Sequence, residues 1–174
     1  DVVAIGTSLG TAAPAAIDVT GQLIDAAMAN IDIDLPEPHF SPPGMTLPNI
    51  DTWLWIDDQT RQTASASAAG ITITVTAEVV NTTHEVLPST DAGVTSRDDH
   101  HKIVCAKAGA PYRPDSEQSD GCRYRFSAPT RDLAIETTAT WHASWSATNG
   151  TSGDLGTIER TTTTPYRVQE KHTV

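Results

Sequence analysis

Residues 133–147 follow a period of two, and this stretch anchors the reading of the chain. Leu133, Ile135, Thr137, Ala139, Trp141, Ala143 and Trp145 fall on one face. Ala134, Glu136, Thr138, Thr140, His142, Ser144 and Ser146 fall on the other. A period of two sustained over that length predicts a β-strand with one buried face. Shorter runs of the same kind predict strands at residues 50–56, 71–80, 102–106, 123–127, 156–163 and 166–173. Clusters of Gly, Pro, Asp and Ser separate them. Seven such strands predict a mainly β fold, an antiparallel sandwich of immunoglobulin or PKD-like type.

Upstream of residue 48 the pattern changes. Ile17, Leu23, Ile24, Ala27 and Met28 mark one side of a helix predicted over about residues 14–30. Pro14 suits its first turn, and Gly21 weakens it by about 1 kcal/mol relative to Ala. Ile31, Ile33 and Leu35 then alternate with Asp32 and Asp34, a short strand-like piece. Five prolines between residues 36 and 48 follow and read as an extended spacer. The organisation expected is an acidic N-terminal arm, 1–47, followed by a β-sandwich domain, 48–174.

Composition supports the β reading. Thr, Ser, Ala and Val dominate, and β-branched side chains fit a pleated surface better than a helix. No apolar run approaches the roughly 20 residues of a membrane-crossing helix, so no membrane span is expected. The formal charge is −11, unevenly spread. The first basic residue is Arg61, so residues 1–60 carry nine acids and −9. Residues 61–174 carry 13 acids against 11 bases, or −2. Such a chain cannot neutralise a row of phosphates, which excludes nucleic acid as the expected partner.

The chain begins at Asp1 with no basic and apolar leader, so a signal peptide, if one existed, has already been removed, and export is inferred from the cysteines instead. Cys105 and Cys122 are the only two, and they bracket a polar, turn-rich segment. A disulfide formed in an oxidising compartment is the expected state. Closing a loop of this size contributes roughly 3 kcal/mol in the chain-entropy picture.

Candidate chemistry is thin. Gly6-Thr7-Ser8-Leu9-Gly10 has the letters of a nucleophile elbow, but no alternating β/α pattern follows it. Asp98-Asp99-His100-His101 is the densest run of metal-ligand types. Consecutive side chains diverge, so a solvated loop is expected there. No catalytic residue, cofactor or metal is assigned, and the protein is expected not to be an enzyme. The tryptophans carry more. Trp53 and Trp55 share one face of their strand, with Leu54 and Ile56 on the other, and Trp141 and Trp145 also share a face. Strand tryptophans at period two belong in a sandwich core. For Trp53 and Trp55 the alternative is an exposed platform that stacks on sugar rings.

The order of features in residues 48–174 resembles exported, cell-envelope β-sandwich proteins of high-GC Gram-positive bacteria. Pro48 precedes Trp53-Leu54-Trp55; Thr74-Val75-Thr76-Ala77 follows. Then come Cys105, Pro111-Tyr112, Cys122 with Tyr124-Arg125-Phe126, and finally Ala139-Thr140-Trp141 running on to Trp145. The resemblance implies an extracytoplasmic protein, in some cases accompanying secretion or conjugation-like machinery, and carries no catalytic residues over.

The function expected from the sequence is therefore a non-enzymatic extracytoplasmic structural or assembly subunit. Its arm would dock on a protein partner or on a neighbouring copy, with Ile31, Ile33 and Leu35 adding a strand to an open edge. The alternatives are a module binding cell-wall or extracellular glycan through Trp53 and Trp55, and a protease-inhibitor-like protein presenting the Cys105–Cys122 loop.

Overall fold

The computed structural model describes residues 18–57, 61–88, 98–114 and 122–170. Among these, one helix, α1 (Val19–Asn30), precedes nine strands. They are β1 (Pro38–Ser41), β2 (Met45–Thr46), β3 (Asp51–Ile56), β4 (Arg61–Ala68), β5 (Ile71–Leu87), β6 (Lys102–Ala106), β7 (Arg123–Arg125), β8 (Thr130–Ala147) and β9 (Ser152–Val168). The face of β8 assigned to the interior by its alternation is the buried one, from Leu133 through Ala143. β8 is flanked by β5 and β9, both antiparallel to it. The larger sheet runs β2-β9-β8-β5-β4, with β6 paired to the second half of β5. The smaller sheet is β1-β3-β7. The protein is mainly β with one short helix, as the pattern predicts. The finer expectation, an immunoglobulin or PKD-like sandwich, is not confirmed. The larger sheet contains a parallel pair, β2 with β9, and curls into half a barrel.

Two strands are longer than their patterns suggest, each for a local reason. In β5 the buried positions are Ile73, Val75, Ala77 and Val79, then Thr82, His84 and Val86. The phase slips because Val80 is a bulge: Val79 faces Trp141 and Asn81 faces Thr140, leaving Val80 unpaired against β8 and exposed. Alternation breaks at the bulge, so the strand reads as ending there. β9 continues through Pro165, which lies opposite Ala134. A proline lacks only its own donor and is tolerated near a sheet margin.

The inner face of the curled sheet is covered by the N-terminal segment and the smaller sheet. The Asp18 side chain caps α1, accepting from the Gly21 N–H at 3.1 Å. The helix lays Leu23 and Ala27 on Ile73 and Val75 of β5. Residues 31–37 then cross in extended form without joining a strand, and Ile33 enters a cluster with Ile56, Val79 and Trp141. The proline-rich stretch, expected as a spacer, supplies β1 and β2. Pro38 opens β1, and Phe40 of β1 packs with Leu54, Phe126, Ile135 and Tyr166. The described part of the N-terminal segment thus belongs to the hydrophobic interior.

The expected disulfide is formed. Cys105, on β6 of the larger sheet, bonds Cys122, the residue before β7 of the smaller one, with both side chains buried. The Leu54 N–H donates to the Cys122 carbonyl at 2.8 Å, so the bridge lands directly beside β3. Just after β6, Gly109 faces Trp55 at φ +75°. A Cβ at Gly109 would sit 2.7 Å from the Leu54 carbonyl oxygen. Gly109→Ala should therefore cost more than about 2 kcal/mol, combining the left-handed backbone with a backbone collision. Gly70→Ala, at φ +78° with nothing within 4 Å of the added carbon, should cost about 1 kcal/mol. Urea unfolding of both variants checks the difference.

His84 lies under this junction with no exposed surface, and burial lowers its pKa from 6.5 to about 4. The unfolded chain takes up this proton below pH 6.5, whereas the folded chain resists it until about pH 4. The unfolded state binds more protons across that window, so stability falls as pH falls through it, by about 3 kcal/mol in all. Unfolding free energies between pH 7 and 4.5 should show this loss, and His84→Gln should flatten it.

Candidate functional site: an aromatic and charged sheet face

Register in the smaller sheet decides which side chains share its outer face. His39 pairs with Trp55, Ser41 with Trp53, Asp51 with Arg125 and Trp53 with Arg123. Leu54, Ile56, Thr52 and Phe40 alternate to the other side and are buried against the larger sheet. Trp53 and Trp55 are therefore turned outward and stay partly exposed. The strand's two apolar faces are resolved in favour of Leu54 and Ile56 inside.

Three of these pairs, His39–Trp55, Trp53–Arg123 and Asp51–Arg125, make a specific side-chain contact. The Arg123 guanidinium stands 5.7 Å from the Trp53 ring centre, and Tyr112 lies 5.7 Å from the same ring on its tilted flank. His39 stacks on Trp55 at 5.6 Å with 16° between planes, and its Nε2 reaches the Asp57 carboxylate at 2.6 Å. Asp51 is held by Arg125, whose Nη2 donates to Oδ2 at 3.0 Å, and by Arg123 at 3.7 Å. The Arg125 hydrogen bond keeps the Asp51 carboxyl below its usual pKa, so this corner stays ionised. Two indoles, a phenol, an imidazole and two guanidiniums form a surface that can stack and ion-pair.

Comparison of the chain with protein-family models, curated proteins and solved structures finds no match.

The other residues singled out from the sequence lie elsewhere. Ile33 is buried and Ile31 packs partly against the same interior, with the Ile33 carbonyl accepting from Arg160 Nε at 3.2 Å. Leu35 is 64% exposed and helps line a cavity of about 180 Å³ with Asp34, Glu37 and Trp141. Trp141 is a core residue and Trp145 packs partly buried beside α1. Cys105 and Cys122 are bonded beneath the smaller sheet, not on its outer face. Gly6–Gly10 and residues 115–121 of the cysteine loop lie outside the described residues.

Of residues 98–101, expected as a solvated loop, His100 and His101 are exposed but Asp98 is not. It is 3% exposed and accepts from Tyr124 Oη at 2.6 Å and from the Ser127 N–H at 2.9 Å. His101 stacks on the same tyrosine at 4.5 Å. Burial and the Asp98 hydrogen bond both raise the Tyr124 pKa, so the phenol remains a donor. This carboxylate fixes the end of β7 and hence the Arg123–Arg125 side of the outer face. Asp98→Ala should destabilise the protein by about 2–3 kcal/mol, since it leaves buried donors unmet. Thermal unfolding at pH 7 reads the loss.

Proposed function

We propose that the protein is a non-enzymatic extracytoplasmic subunit that docks on a protein partner, or on a neighbouring copy, through the outer face of its smaller sheet. The observation that carries this reading is the composition of that face. Trp, Tyr and Arg are the residues in which binding energy concentrates at protein interfaces, and here they converge on one rigid, partly exposed sheet. Preorganisation matters as much as identity. The indoles are held by cross-strand neighbours, so little side-chain entropy is lost when a partner covers them. The two-sheet body serves as the frame, in the manner of immunoglobulin and PKD-like sandwiches. Export fits the disulfide, and the resemblance to cell-envelope proteins points the same way.

The surface differs from the route expected from the sequence. Strand addition by Ile31, Ile33 and Leu35 has less support, because Ile33 is engaged in the chain's own interior. A second reading, glycan binding, is favoured by one observation: the rings of Trp53 and Trp55 stay partly exposed on a single face, where they could stack on sugar rings.

A photoreactive phenylalanine analogue at Trp53, in cells producing the protein, should yield a discrete protein adduct. The same analogue at His142, on the larger sheet, should yield none. A Trp fluorescence change with soluble cell-wall glycan, without a protein adduct, would replace docking by the glycan reading. Neither signal would reject both.

A further inference from the structure

The bridge between the two sheets has a third metal-ligand type beside it. One ring nitrogen of His84 and the sulfurs of Cys105 and Cys122 lie within 4.8 Å of one another, and all three side chains are buried. Sheet register brings this about. Cys105 faces Thr82 across β6 and β5, and His84, two residues further along β5, shares its face.

The imidazole is held as a ligand is held. Its Nδ1 is hydrogen-bonded to the Thr137 hydroxyl of β8 at 2.9 Å, while its Nε2 is buried with no hydrogen-bond partner among the described residues. An unmet nitrogen in an apolar interior is costly, and a second-shell bond to one ring nitrogen is the usual means of aiming the other at a metal. Burial also keeps the ring in the neutral form that a metal requires. Two thiolates and an imidazole are a soft donor set, suited to Zn²⁺ or Cu⁺ rather than to oxygen-seeking cations.

We propose that the dithiol form of this protein binds one soft d¹⁰ cation through Cys105, Cys122 and His84, and that disulfide formation closes the site. Opening it is thiol–disulfide exchange with an external dithiol. Two electrons and two protons pass to Cys105 and Cys122, and the reductant leaves as its own disulfide. Cation entry then releases the two thiol protons to solvent and forms two metal–sulfur bonds and one metal–nitrogen bond. A fourth position remains for water or another donor. Oxidation and metal occupancy exclude each other because they use the same two sulfur atoms.

The test uses the full chain, reduced by a dithiol that is then removed under inert gas, with Co²⁺ as the spectroscopic stand-in for Zn²⁺. The expected result is one Co²⁺ per chain, with thiolate-to-cobalt charge-transfer absorption, displacement by Zn²⁺, and no such absorption from the oxidised chain. His84→Gln should weaken Zn²⁺ binding more than tenfold. X-ray absorption at the zinc edge of the reduced wild-type chain reads the ligand set without any variant, and should show two sulfurs and an imidazole. If reduction unfolds the chain, Zn²⁺ should restore its native circular dichroism. The proposal is overturned by a reduced chain that takes up no stoichiometric metal, by an unfolded chain that Zn²⁺ does not restore, or by a zinc shell without imidazole.

Discussion

A curled sheet must have its inner face covered, and the rest of this structure follows from how that is done. The long strands β5 and β8 present apolar side chains on one face along most of their length. One small sheet is too short to cover all of them. The smaller sheet packs over the end near Val86, Ile135 and Tyr166, while α1 packs over Ile73 and Val75 at the other. Ile33 and its neighbours fill the stretch between. Each large aliphatic or aromatic side chain fully buried in this way contributes about 1.5–3 kcal/mol. A handful of them is comparable with the whole stability of a domain.

The aromatic face proposed for docking is what this packing leaves outside. Because Leu54 and Ile56 go inward, period two turns Trp53 and Trp55 outward, and strand pairing places Arg123 and His39 beside them. The disulfide joins the two layers at the residue preceding β7, so it helps set the position of the Arg123–Arg125 side of that face. The His84 cluster lies at the same junction. Layer packing, the aromatic face and the buried His84–cysteine cluster therefore share the junction that the disulfide makes between the two sheets.

Much of the fold is legible in the sequence, for reasons that differ by segment. The alternation in β8 identifies both the strand and its buried face, since one face meets the core and the other does not. The second half of β5 is hidden by a single bulge at Val80, which shifts the period and removes His84 from view. β4, with the sequence RQTASASA, carries little apolar signal. It is a strand because β5 pairs with it and because Ser65–Thr74 and Ser67–Thr72 hydroxyl contacts line up across the pair. The two faces of β3 are written plainly, but the choice between them belongs to tertiary packing. The cysteine pair was legible because no third cysteine competes, whereas the nearby histidine is brought in only by sheet register.

The described part of the N-terminal segment, from residue 18 on, is part of the hydrophobic interior and not a free docking arm. The most direct test compares the full chain with one beginning at Pro48, by near-ultraviolet circular dichroism and thermal unfolding with the disulfide intact. The account predicts that the shorter chain loses its fixed aromatic environment and its cooperative transition, because Ile73, Val75, Val79 and Trp141 lose their cover. A shorter chain that unfolds cooperatively at the temperature of the full one, with the same aromatic spectrum, would contradict it.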